Sequence, residues 1–268
     1  GFCFWGTTIL NIWFSFAGVL LYCLVMKKKP GAMANAFLFS TGLAPLITEM
    51  LFRYPGEAWH GFTGLGIVLA LAVGIFIGFI FPAVLPHSPQ MHKGYDLYNA
   101  AVPIGLIAFF LRSLLYKIFT SAPPASENVG LADSFLPLSI GFCLVVFLLA
   151  IIWGLALGGG KEYGRLLRDS GYNVDYGTKY GSGAAILNFG VYGLFIVLYY
   201  LLIGAKWNAA TLGCVFCMVC CCYKGSHPAN VWPIMVGYVA ASYIAEFGCG
   251  LTGAEHTLMA NAQAIVIG

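Results

Sequence analysis

The sequence predicts an all-α integral membrane protein: a polytopic helical bundle of about eight or nine membrane segments, some broken or short, with an inverted internal repeat. Three observations predict it. Of the 268 residues, 60% are hydrophobic and 9% charged, against roughly a quarter charged in a soluble domain. Marking every charge leaves uncharged intervals at 4–26, 30–48, 58–92, 134–160, 180–205, 207–223 and 225–245, each able to hold a spanning helix of about twenty residues. Two of these tracts carry prolines among polar residues, and backbone freed from helical bonding is tolerated at membrane depth only where protein or a water-filled cavity shelters it.

The first tract, 4–26, contains Asn11 and is closed by Lys27, Lys28 and Lys29. The second runs on to residue 52 and has Pro45 in its middle. The interval 58–92 exceeds one span, and Pro82, Pro86 and Pro89 predict that its helix ends near residue 85, because proline lacks the amide donor and clashes with the preceding turn. Residues 97–116 make an eighth segment if Arg112 carries its guanidinium to the interface. A ninth begins after Glu255. The chain opens on Gly1 and stops at Gly268 within an apolar run, so it reads as one transmembrane domain over 1–268 that is a fragment of a longer protein.

With 33–52 as a full crossing, Lys27, Lys28, Lys29, Lys93, Lys161, Arg165, Arg168, Lys179 and Lys224 share one side. Arg53, Arg112, Lys117 and Lys206 lie on the other. The richer side is cytoplasmic by the positive-inside bias, which fits a multi-pass protein of the cell membrane, the bacterial inner one. Ile9-Leu10-Asn11 recurs as Ile186-Leu187-Asn188, each opening a long apolar helix, followed by a tract holding Asn35 or Asn208. An odd number of crossings between the copies would invert them, giving repeat units 1–177 and 178–268. A competing match pairs Ala34-Asn35-Ala36 with Ala260-Asn261-Ala262.

Two phrases are candidate half-sites. In Gly225-Ser226-His227-Pro228-Ala229-Asn230-Val231-Trp232-Pro233 the two prolines rule out an unbroken regular helix. The bland alternative is a loop leading into a helix with Pro228 in its first turn. In Thr41-Gly42-Leu43-Ala44-Pro45-Leu46-Ile47-Thr48-Glu49 a proline sits mid-tract between hydroxyls, and those threonines could equally re-satisfy freed carbonyls of a kinked helix. Glu49 and Glu246 adjoin apolar tracts, where ionisable groups are functional candidates or else solvated helix ends. The four aspartates lie in loops, which disfavours a proton pump. Met91 to Asn99 could form a gate. The expected solute-binding residues are therefore Asn35, Thr41, Pro45, Glu49, Asn99, His227 and Asn230.

Other motifs read as packing. Cys214, Cys217 and Cys221 share a helix face in apolar surroundings, where close packing is the better reading than a metal site. Gly74 with Gly78, and Gly154 with Gly158, are small-residue pairs that permit close helix approach. No metal, cofactor or nucleic acid is expected. The expected partners are the bilayer and a small-molecule solute, with further copies of the chain as an option.

The segments Asn35 to Pro45, His92 to Asn99 and His227 to Ile234 together resemble a bacterial family of multi-pass membrane proteins catalogued as domain of unknown function 1576. That resemblance covers most of the chain and implies internally duplicated modules, but no substrate. The favoured function is a transporter or channel for a small polar, neutral solute. The alternatives are a membrane-embedded enzyme acting on lipid or peptide through His227 or Glu49, which lacks H-E-x-x-H and G-x-S-x-G motifs, and a non-transporting scaffold.

Overall fold

Among the described residues of the computed structural model, four helical stretches are long and apolar enough to cross hydrocarbon: Pro30–Phe52, Gly64–Gln90, Leu136–Ala156 and Ser182–Leu202. The structure describes residues 2–56, 58–92, 100–118, 135–205, 207–248 and 250. A helix of 21 residues, such as Leu136–Ala156, is about 30 Å long, the thickness of the hydrocarbon layer. Three shorter apolar helices, Ile12–Val25, Ala101–Tyr116 and Thr211–Tyr223, accompany them.

In chain order the helices are α1 (Ile12–Val25), α2 (Ala34–Ser40), α3 (Ala44–Phe52), α4 (Gly64–Val84), α5 (Ser88–His92), α6 (Ala101–Ser113), α7 (Leu136–Ala156), α8 (Gly160–Leu166), α9 (Tyr176–Tyr180), α10 (Ser182–Leu202), α11 (Ala209–Cys220) and α12 (Pro228–Tyr243). The chain divides into two compact units, residues 1–131 with 207–217 and residues 132–206 with 218–268.

In the first unit α1 lies along α4. A Cβ on Gly18 would strike the backbone of Ile75 and Gly78, and one on Gly78 would strike the backbone of Ser15 and Val19. Only glycine permits main chain to touch main chain in this way. Ile47, Met50, Leu51, Ile77, Phe81, Ile107 and Leu111 form the core around this pair. Helix α4 starts at a Thr63 cap, whose hydroxyl accepts from the Gly66 N–H at 3.0 Å. It passes through Pro82 and ends at Val84, then turns through Leu85–His87 into α5. The regular α-helix ends at the expected stop near residue 85, but the chain stays helical through the 3₁₀ turn and α5 where a loop was expected.

In the second unit α10 lies along α7 over a seam of the same kind. Gly154 fits against Leu187, and Gly190 and Gly193 fit against Phe147 and its neighbourhood. The expected pairing of Gly154 with Gly158 needs correcting. Gly158 has φ +78° and open space where a Cβ would be, so it serves the left-handed turn at the end of α7, and Gly159 is the residue that packs, against Gly183. The outer face of α7 leaves Leu138, Leu149, Ile152 and Trp153 more than half exposed, as a surface solvated by lipid tails would be.

Candidate functional site

In the first unit the break at Pro45 is real. Helix α2 gives way to a 3₁₀ turn over Thr41–Leu43, and α3 restarts with Pro45 in its first turn. Pro45 has no N–H to offer the Thr41 carbonyl. The Thr7 hydroxyl donates to that carbonyl instead, at 3.0 Å, while the Thr41 hydroxyl donates to Leu38 O at 2.6 Å. Asn11 locks the break from α1: its Oδ1 accepts from Thr8 N–H at 2.8 Å, and its Nδ2 donates to Gly6 O at 2.8 Å, Ala44 O at 3.3 Å and Thr48 Oγ1 at 2.7 Å. Both ends of this buried amide are engaged.

Of the expected residues here, Thr41 is buried and Pro45 half-buried beside this lock, whereas Asn35 stands exposed on α2. Glu49 is half-buried at the far end of α3 and accepts from the Tyr116 hydroxyl at 2.9 Å. After α6 the chain widens into a π turn over Leu114–Ile118, and this turn supplies both Tyr116 and the Leu115 carbonyl to which Tyr54 donates at 3.3 Å. Arg112 lies over the Tyr116 ring, 6.0 Å from its centre. Asn99, the rest of the expected gate at 93–98 and the Glu246 side chain lie outside the described residues.

In the second unit Pro228 opens α12 after a turn, and the helix runs on through Pro233. The reading that no regular helix could pass both prolines is therefore corrected. Pro228 occupies a first-turn position whose N–H has no intrahelical partner anyway, so only the single bond at Pro233 is lost. The turn is held by reciprocal contacts. His227 N–H donates to Asn230 Oδ1 at 2.9 Å, and Asn230 Nδ2 donates to Gly225 O at 2.7 Å. The imidazole approaches the Asn230 N–H in the manner of a capping box, but that N–H donates to the His227 carbonyl at 3.2 Å. His227 Nδ1 has no hydrogen-bond partner among the described residues.

The loop between α8 and α10 braces this turn, and its role was not apparent from the sequence. His227 Nε2 lies 2.9 Å from the Asp169 carbonyl, which can only accept, so Nε2 carries the proton. The Tyr176 hydroxyl donates to Gly225 O at 2.8 Å. Gly171 and Gly225, at φ +77° and +117°, meet backbone to backbone, and a Cβ on either would strike the other. The Asp169 carboxylate accepts from Lys179 Nζ and Tyr180 Oη, both at 2.6 Å, and from Gly171 N–H at 3.0 Å. Partial burial raises its pKa, but those bonds outweigh the burial and hold it at about 2. Asp175 caps α9 and pairs with Lys224 at 2.7 Å, and its pKa is lowered chiefly by that lysine. The loop and Lys224 are thus joined directly.

Asn188 completes the second constellation. It does not open its helix, as the repeated Ile-Leu-Asn suggested, but lies fully buried two turns inside α10. Its Nδ2 donates to Cys222 O at 3.1 Å and Ser226 O at 2.8 Å. Because both partners are carbonyls, the amide orientation is fixed and Oδ1 faces away from them.

The family model described as Protein of unknown function (DUF1576) matches residues 1–117 and 160–261. No curated protein and no solved structure matches the chain.

Proposed function

We propose that this chain, which belongs to the DUF1576 family of proteins of unknown function, moves a small polar, neutral solute across a membrane. One observation supports this reading above the others. In a chain with 9% charged residues, the buried side-chain amides of Asn11 and Asn188 are both spent on the carbonyls of a segment where the helix stops and restarts. Hydrogen-bonding side chains gathered at interrupted helices, with few charges among them, suit a neutral solute better than an ion.

The two constellations also favour the inverted duplication. Asn11 reaches Ala44 and Thr48, and Asn188 reaches Cys222 and Ser226, so partners recur at a register of 177 to 178 residues. On that register Glu49 is the counterpart of His227, and the match of Asn35 with Asn261 is out of step. In this reading Thr41, Pro45 and Glu49 serve the solute in the first unit and His227 and Asn230 serve it in the second, in a multi-pass bundle of eight or nine segments of the bacterial inner membrane.

The test is flux through the reconstituted full-length protein. Small neutral solutes should equilibrate faster than in empty vesicles, and Asn230→Ala, if it purifies as a monodisperse species, should abolish the difference. Unchanged flux in that variant removes Asn230 from the path. Absence of flux for the whole solute panel overturns the reading.

A further inference from the structure

Among the described residues, each carboxylate in the segment that joins α7 to α10 already has a base of its own. Glu162 pairs with Arg165 at 3.2 Å, Asp169 with Lys179 at 2.6 Å and Asp175 with Lys224 at 2.7 Å. Two cations of the same segment are left over. Lys161 and Arg168 enter no ion pair among the described residues, and both stand exposed.

The fold turns both of them the same way. Helix α8 begins where Gly159 presses on the backbone of Gly183, and its Tyr163 and Leu166 pack on Tyr176, Ala184 and Ala185, which fixes the roll of the helix. At about 3.6 residues per turn, positions 161, 165 and 168 fall within an arc of roughly 60°, on the side away from Tyr163 and Leu166. The helix ends at Leu166, but the Arg168 N–H still donates back to the Arg165 carbonyl at 3.1 Å, so the winding carries on through Arg168. One face of α8 is thus committed to its own unit and the other is basic and open, with the Arg165 side chain 76% exposed.

Its place in the chain says what this face meets. Helix α7 ends at Ala156 and α10 begins at Ser182, both are long and apolar enough to cross hydrocarbon, and the contact of Gly159 with Gly183 brings those two ends together. The basic face therefore stands where hydrocarbon gives way to lipid head groups. A phosphodiester there carries a fixed negative charge, which a guanidinium grips with two parallel hydrogen bonds and an ammonium attracts as a point charge. We propose that Lys161 and Arg168, with Arg165 between them, bind the head groups of anionic phospholipids. This surface is independent of the transport reading.

The test is thermal unfolding of detergent-purified full-length protein while dioleoylphosphatidylglycerol, or zwitterionic dioleoylphosphatidylcholine, is added as mixed micelles. Phosphatidylglycerol should raise the midpoint saturably and phosphatidylcholine should not, and high salt should weaken the effect. The Lys161→Gln/Arg168→Gln double variant should need about 25-fold more phosphatidylglycerol for half the effect, at about fivefold per basic residue. Both side chains are exposed, so without that lipid the variant should unfold at the wild-type midpoint. Glu162→Gln releases Arg165 from its pair and should tighten binding about fivefold, a gain that no general loss of structure produces. Equal midpoints with the two lipids overturn the proposal, and so does an unchanged response in the double variant or no tightening in Glu162→Gln. An equal loss in Lys28→Gln/Lys29→Gln overturns it too, by tracing the effect to overall charge. Equal protection by inorganic phosphate would do the same, by making the face a site for soluble anions.

Discussion

The imidazole of His227 donates through Nε2 to the main-chain carbonyl of Asp169 at 2.9 Å. This bond ties the turn before α12 to the loop between α8 and α10, and it also decides which ring nitrogen is left bare.

Replacing His227 by alanine orphans the Asp169 carbonyl and should lower stability by about 1–3 kcal/mol. Thermal unfolding of the detergent-purified protein checks it, and an unchanged midpoint would mean the bond contributes nothing.

Gly171→Ala and Gly225→Ala should each be more damaging than a surface substitution. Both residues have left-handed φ, and a Cβ on either would meet the other's backbone. Each variant should lose about 2 kcal/mol or more, visible as a lower yield of monodisperse protein, and the double variant should be no better than the worse single one.

The Asp169 carboxyl gives stability a defined acid limb. Its pKa lies at about 2, below the ordinary 3.8, so the folded state holds its proton less tightly than the unfolded one. The contribution is complete above about pH 4 and lost as pH falls through 2. In Asp169→Asn that limb should flatten in acid unfolding curves, with Lys179 and Tyr180 deprived of their shared anion.

Asn11→Leu should destabilise the first unit by about 1–3 kcal/mol, since it leaves Gly6 O, Ala44 O and Thr48 Oγ1 without the amide that serves them. Hydrogen exchange at residues 41–48 should speed up selectively. Uniform acceleration across the unit would place the effect elsewhere.

The membrane class and the position of the helix break at Pro45 were legible because composition and proline chemistry act locally. Asn11 and Asn188 were also visible as a repeated Ile-Leu-Asn, but only as a pattern. Which carbonyls they reach depends on segments 33 to 38 residues away, a distance no periodicity encodes. Asp169, Tyr176 and Gly171 escaped notice because each looks like ordinary loop chemistry until the chain folds back on Gly225. Pro233 misled for the opposite reason: a proline six residues into a helix removes one bond, which the rest of α12 tolerates.

The glycine seams carry a consequence for how each unit can change shape. Where α1 meets α4, and where α7 meets α10, main chain abuts main chain, so neither pair can part to admit even a water molecule without losing its whole line of contact. Each pair therefore moves as one body, and any change of shape within its unit has to come from faces where side chains rather than main chain make the contact.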